Sequence, residues 1–461
     1  MNIFNIRTGN NEFRDKNIAI VDYLFWSFVI LFTNPGGIIE ALNLFYIFGK
    51  INFRDVIFVI LTILYLIIPK TYSIVDHSFI AVKRYLLIFL IYFYLFYVVF
   101  IPRINNVENY SLIFSIIKTR YTLYHIAMFF YIYVFFRRRW DIFFKIFLLS
   151  SIIVLILFLQ ARVTGINILP ISIMNRNFVN IDRNLMVSEG LMPLLIPLGI
   201  AVIVLRFKSP YRYIVIAGFV LMSAAYLYAL WRRNIIAVFA YFLLAVLIDS
   251  FIKQKMSRLA INSLKAAAFL AVMTVAFYFI SPKYTKAAQV ALLETVSVVK
   301  ESKTTSGQSD VRLGLNRPFI NNLFYKNPVW GTGFDNRWRI RQGDEQGYEA
   351  ADYPLLAALA MFGLIGILLF GPVYLHIIKT IISDLKYIRG HPGKKNNAMQ
   401  LLSITFILFF LYHLMQYFNY YIFISVTDDF INYFFLSLYY SSRAGYYYSE
   451  YTAQKMIPNA A

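Results

Sequence analysis

A chain of 461 residues that is 60% hydrophobic and only 15% charged, with a mean hydropathy of +0.62, is too apolar for a soluble globular enzyme or a disordered protein. With no cysteine, a disulfide scaffold, a thiolate nucleophile and a Cys-based zinc site are excluded. Lys and Arg (44) outnumber Asp and Glu (23) for a net charge of +21, an excess to be divided among membrane topology, nucleic acid and an anionic substrate.

In chain order, apolar runs long enough to cross a bilayer fall at roughly 18–34, 55–69, 85–102, 121–136, 143–160, 186–206, 213–231, 233–252, 262–280, 354–378, 401–423 and 428–441. They predict an all-α fold, a polytopic integral membrane bundle of about twelve transmembrane helices. The last run is short. Residues 35–49, which include Gly36 and Gly49, read as a re-entrant or interfacial helix. The polar start and the lack of a small-residue cleavage site argue against a cleavable signal peptide. Three regions follow: 1–280 with the first nine helices, 281–353 as one large loop, and 354–461 with the last three helices and a C-terminal tail.

Orientation follows from where the cations fall. With the N-terminus cytoplasmic, one side collects Arg7, Arg14 and Lys16; Lys70, Lys83 and Arg84; and Arg137, Arg138 and Arg139. The same side collects Arg206, Lys208 and Arg212; Lys253, Lys255 and Arg258; and Lys379, Lys386, Arg389, Lys394 and Lys395. All of these loops are short. The only long loop, 281–353, then falls outside, and both termini lie inside.

That loop carries an amphipathic stretch near 283–300, a Ser/Thr/Gly-rich breaker from Ser302 to Ser309, and a second helical stretch near 311–325. In the latter, Leu315, Phe319, Ile320, Leu323 and Phe324 recur at helical spacing around Arg312. Pro328 and the Gly331-Thr332-Gly333 turn end it. About 20 of the 44 basic residues lie outside by this scheme, ten of them in the loop, which is more than positive-inside anchoring requires.

Arg232 and Arg233 sit at the external start of the eighth span. There a helix N-terminus adds free N–H donors and partial positive charge, and paired guanidinium groups suit bidentate phosphate binding. A lone Arg at such a place commonly snorkels to lipid phosphates; two together, facing a basic loop, favour a bound anionic ligand. Nucleic acid is an unsuitable partner, because the charge is dispersed over membrane loops with no binding module. No GxxxxGK[ST]-type phosphate loop and no GxGxxG following a strand is present.

The stretch Asn322 to Gly333, NLFYKNPVWGTG, resembles the "hPl.G.G" signature in the large periplasmic loop of O-antigen ligases and Wzy-type polysaccharide polymerases. Arg312 resembles the Arg that opens that family's loop helix. Asp352-Tyr353, nine residues, and then Gly363-Leu-Ile-Gly366 resemble the element at the loop-to-span junction, where ligases carry His. Trp231-Arg232-Arg233-Asn234-Ile-Ile-Ala resembles an "SRg.l.a" element that starts a span, and Asn177-Phe178 through Asn184 resembles an "f.npN..a" segment. Together these cover roughly 175–380.

The resemblance implies a GT-C-like, inverting glycosyltransferase that uses no metal or other cofactor. It would move glycan from undecaprenyl pyrophosphate to a sugar hydroxyl at the periplasmic face of the bacterial inner membrane. It implies that Arg233 and Arg312 grip the pyrophosphate and that the loop-end residue, here Asp352, is the general base. Its partners would be an undecaprenyl-pyrophosphate-linked oligosaccharide, the bilayer, a chain-length regulator and a flippase. The chemistry is sound on its own terms. Fixed cations stabilise a pyrophosphate leaving group, and a carboxylate with a pKa of about 3.9 is ionised at neutral pH and available to take a proton.

Asp in place of His favours polymerisation over ligation to lipid A-core. Asp352 also fits an N-cap of the tenth span, and both roles stay open on sequence alone. Further candidates for contact with substrate are Arg317, Tyr348, Arg337, Arg339, Asp182 and Arg183, with solvated or interfacial roles as the alternative. His125, near the outer end of the fourth span, could substitute as base or be a satisfied buried imidazole. Other functions compatible with the spans are an O-antigen ligase and, from a different class, a lipid-linked oligosaccharide flippase or transporter. Transporters tend to show repeated halves, which are not evident here.

Overall fold

The computed structural model describes residues 12–33, 46–48, 51–67, 77–105, 111–164, 176–178, 181–183, 191–205, 211–229, 232–253, 317–333, 354–390, 404–411 and 436–440, with isolated positions in 261–289 and Leu401. Among them the chain is almost entirely helical. The helices are α1 (Glu12–Phe32), α2 (Phe53–Ile67), α3 (His77–Tyr92), α4 (Ile101–Ile104), α5 (Leu112–Thr164), α6 (Leu195–Leu205), α7 (Arg212–Ala229), α8 (Arg232–Lys253), α9 (Arg317–Lys326) and α10 (Pro354–Gly390). A π-helical stretch, Phe93–Phe100, joins α3 to α4.

Two helical runs are long and apolar enough to cross a membrane, Phe79–Ile104 and Ile142–Thr164. The pair Leu359–Gly366 and Gly371–Gly390 passes the same test together but is bent by 79°. Shorter apolar helices fall at Ile20–Phe32, Leu123–Tyr133, Met192–Val204, Arg212–Tyr228 and Ala237–Ile252. A helical, membrane-embedded chain is what these lengths and compositions indicate.

Several helices lie close to limits expected from the apolar runs, as with Arg212–Ala229 against 213–231 and Arg232–Lys253 against 233–252. The expected helical class holds, with two short ribbons beside the helices: Tyr46–Phe48 pairs antiparallel with Ile51–Asn52 (β1, β2), and Arg176–Phe178 with Ile181–Arg183 (β3, β4). Two expectations are corrected. The first ribbon puts strand at the end of 35–49, where a helix was expected; Tyr46, Ile47 and Phe48 are aromatic and β-branched residues that favour it. Finally, α5 stays helical through Arg137–Arg139 instead of breaking between two spans. The sequence FFRRRWD there holds no Gly or Pro to stop a helix.

Aromatic packing fills the interior. Trp26 of α1 meets Phe143 of α5 (ring centroids 4.8 Å apart), and Phe79 of α3 stacks on Phe129 (5.1 Å). The helical stretch 436–440 is tied in by two buried bonds. Ser437 Oγ donates to the Phe129 carbonyl (2.6 Å), and Tyr439 Oη donates to Asp384 Oδ2 of α10 (2.7 Å). α10 also packs on α3, on α8 and on α9, so it joins the loop-derived helix to the membrane helices.

Candidate functional site

The helix α9 ends where Pro328 and the glycine turn follow, as the sequence predicts. What the turn does next is the central feature of the structure. At Gly363 the backbone of α10 leaves helical space (φ 65°, ψ −173°), a region open almost only to glycine. An uninterrupted helix would bond Leu364 N–H to the Ala360 carbonyl and Ile365 N–H to the Met361 carbonyl. Here Leu364 N–H donates to the Pro328 carbonyl (2.9 Å) and Ile365 N–H to the Val329 carbonyl (3.1 Å). The carbonyls so released are taken by the same turn: Thr332 N–H donates to Ala360 (2.9 Å) and Gly333 N–H to Met361 (3.2 Å). The Phe362 carbonyl accepts from Tyr92 Oη of α3 (3.2 Å). Two intrahelical bonds are thus exchanged for four bonds between the turn and α10, and the groups freed by the break find partners.

The turn closes on itself through Gly331 N–H to the Asn327 carbonyl (2.8 Å) and is clamped from a third side. Asn105, at the C-cap of α4, donates through Nδ2 to the carbonyls of both Gly331 (3.1 Å) and Thr332 (3.2 Å). Gly331 (φ 73°) lies against Met361 and Gly363, where a Cβ would meet backbone atoms of both. Gly333 lies against Pro102. So the glycines are required by close backbone approach as well as by turn geometry. The turn, the break and the end of the run Phe79–Ile104 form one hydrogen-bonded junction.

Asn105→Ala removes both clamping bonds. At about 0.5–1.5 kcal/mol for each, the thermal midpoint of the purified protein in detergent is expected to fall. Asn105→Asp, which sets a carboxylate against two carbonyls, is expected to lower it at least as far. An unchanged midpoint in both variants contradicts the clamp.

A second polar constellation lies on the neighbouring helices. Arg120 of α5 grips Asp55 of α2 bidentately, with Nε to Oδ1 at 2.8 Å and Nη2 to Oδ2 at 3.1 Å. Tyr124 Oη donates to Asp55 Oδ1 (3.0 Å), and Arg120 Nη1 donates to the Ile117 carbonyl (2.7 Å). Tyr94 of the π-helical stretch donates to the adjacent Thr119 carbonyl (2.9 Å). Arg120 is therefore committed to a structural pair. His125, one residue beyond Tyr124, is buried in α5.

Of the sequence-derived site residues, Arg232 and Arg233 occupy the first turn of α8, Arg317 opens α9, and Asp182 and Arg183 lie on β4, where Asp182 pairs in register with Asn177 and Arg183 with Arg176. Asp352, Arg312, Tyr348, Arg337 and Arg339 lie outside the described residues. The structure brings together the two glycine motifs, NPVWGTG and GLIG. Sequence reasoning missed Asn105, Tyr92 and the Asp55–Arg120 pair. The signal available for the pair was an acid and a base at the apolar boundaries of two spans, a placement that asks for a partner. No family model matches the chain, and no curated protein is significantly similar to it.

Proposed function

We propose that the chain is a multi-pass glycosyltransferase of the bacterial inner membrane, with about twelve spans, that polymerises undecaprenyl-pyrophosphate-linked repeat units into a surface polysaccharide at the periplasmic face. The observation that carries this reading is the junction of the NPVWGTG turn with the break at Gly363. The two segments quoted for the resemblance are separated in sequence yet bond to each other, and Asp352 lies between them in the sequence.

In this scheme the acceptor sugar hydroxyl gives its proton to Asp352, and its oxygen attacks the anomeric carbon of the donor. The bond from that carbon to the pyrophosphate oxygen breaks with inversion, and the undecaprenyl pyrophosphate leaves with its charge met by Arg233 and Arg312. Arg232 supports the same anion. Arg317, Arg337, Arg339, Tyr348, Asp182 and Arg183 are assigned to the glycan or its approach. No metal is needed, because guanidinium groups take the place of a Lewis acid at the leaving group.

Arg233→Ala should reduce polymer by orders of magnitude, since one leaving-group contact of this type is worth about 10²–10³ in rate. Arg337→Ala, assigned to the glycan's approach and not to the leaving group, should cost far less polymer in the same gel. Equal losses would reject the pyrophosphate assignment.

Deletion of the gene followed by analysis of surface glycan tests the function itself. Single repeat units on an otherwise normal acceptor are expected. Long polymer left on undecaprenyl pyrophosphate would make the chain a ligase, and repeat units retained on the cytoplasmic face would make it a flippase.

A further inference from the structure

The turn at the end of α9 is more apolar than a solvated loop requires. Tyr325 (74% exposed), Val329 and Trp330 (49%) present their side chains outward, with Pro328 and Lys326 exposed beside them. Trp330 stacks on Phe96 of the span Phe79–Ile104, with ring centroids 6.3 Å apart and planes at 14°. Phe96 and Phe100 are themselves exposed on that span, and so is Leu364, whose N–H is bonded to Pro328. These side chains make one continuous apolar face, half of it on a helix long enough to cross a membrane and half on the turn. We propose that this face is a membrane-docking surface: the turn Asn327–Trp330 lies in the interfacial zone of the bilayer at the Ile104 end of the span, with the Trp330 ring against lipid.

Three observations carry this. The first is depth. Phe96 precedes Ile104 by eight residues, roughly 12 Å along the axis. A span of 26 residues overhangs a hydrocarbon core of about 30 Å by only a few ångströms at each end. The Phe96 backbone therefore lies about 7 Å inside the hydrocarbon edge, so a ring stacked on its side chain meets lipid while its turn reaches towards the level at which Trp and Tyr concentrate.

The second is the backbone. Irregular chain at that depth has no water to satisfy it and must be bonded within the protein. The carbonyls of Asn327, Pro328, Val329, Gly331 and Thr332 all accept, and the N–H groups of Gly331, Thr332 and Gly333 all donate.

The third is orientation. The half-helix Leu359–Gly366, to which the turn is bonded, is inclined at 79° to Gly371–Gly390. When the longer half crosses the bilayer, the shorter half and its attached turn lie close to the membrane plane. Exposed Lys326 and Arg103 flank the aromatic face, where cations meet headgroup phosphates.

The proposal is independent of the glycosyl-transfer reading and concerns where the loop sits. It is tested on the full-length protein in nanodiscs of phosphatidylcholine and phosphatidylglycerol. Because the chain has no cysteine, a single introduced one carries a nitroxide label without background. The label in Trp330→Cys is expected to collide several-fold more often with oxygen, which partitions into lipid, than with a water-soluble nickel chelate. Tyr325→Cys, nearer the cationic edge, is expected to give a lower ratio. Predominant collision with the nickel chelate at position 330 would put the face in water, and protection from both reagents would put it against protein, a second copy included. Either result overturns the proposal. If loss of the Phe96 stack impairs folding of Trp330→Cys, Val329→Cys gives the same reading from a side chain that makes no ring contact.

Discussion

Gly363→Ala is expected to abolish polymer formation and to lower the thermal midpoint sharply, while Gly371→Ala eight residues along the same helix leaves both unchanged. The contrast rests on geometry. A Cβ at Gly363 would overlap the Val329 carbonyl and press on the Gly331 N–H at 2.5 Å, whereas a Cβ at Gly371 meets nothing within 4 Å. The backbone conformation at Gly363 alone costs an L-residue about 1–3 kcal/mol. Relief of the overlap requires the turn to move away from α10, which breaks the bonds of Pro328, Val329, Thr332 and Gly333 to Ala360, Met361, Leu364 and Ile365. At the edge of a bilayer each unpaired backbone group costs several kcal/mol, on the order of the whole stability of a domain. At Gly371 alanine is the better helix former and is neutral or slightly stabilising. Polymer ladders and thermal unfolding of the two variants check this directly, and a functional, stable Gly363→Ala protein would remove the junction from the account.

How far this was readable in advance differs element by element. The limits of α7 and α8 were legible, because an unbroken apolar run between charged residues has one economical solution in a bilayer. The break inside 354–378 was not. Glycine is tolerated in membrane helices, and what turns Gly363 from a helical residue into a kink is the distant NPVWGTG turn, which supplies the replacement hydrogen bonds. The same holds for the π-helical stretch, whose residues Phe93–Phe100 have no local signal for it. Within the site, the glycines were legible as turn residues and their meeting was not. Asn105 could not be distinguished from any polar residue closing a span, since its importance lies in two carbonyls more than 200 residues away in sequence. Among the charged candidates, Arg233 falls where expected, at a helix start, because an Arg pair before an apolar run marks that boundary.

Asp352→Asn is the second large effect. In the proposed mechanism the carboxylate takes the acceptor proton, and an amide of the same size cannot. A general base commonly contributes about 10²–10⁴ in rate, so polymer should vanish from gels while the protein accumulates and melts as the parent does. The alternative role, an N-cap on α10, makes the opposite forecast, because Asn caps a helix as well as Asp does. Full-length ladders in Asp352→Asn would assign the residue to capping and leave the base to be found elsewhere in 334–353. Asp352→Glu separates the two further. It retains a carboxylate at altered reach, so partial polymer formation is expected where Asn gives none.

Under the proposed function this chain itself extends a lipid-linked glycan without a metal, with Asp352 as the base and Arg233 and Arg312 at the leaving group. The most direct measurement is reconstitution of the purified full-length protein into liposomes containing undecaprenyl-pyrophosphate-linked repeat units, with EDTA present throughout. A ladder of products, each longer by one repeat unit, and its absence with Asp352→Asn are the results expected. Repeat units that remain unextended in the presence of correctly folded parent protein, or extended only after metal is added, would contradict the account.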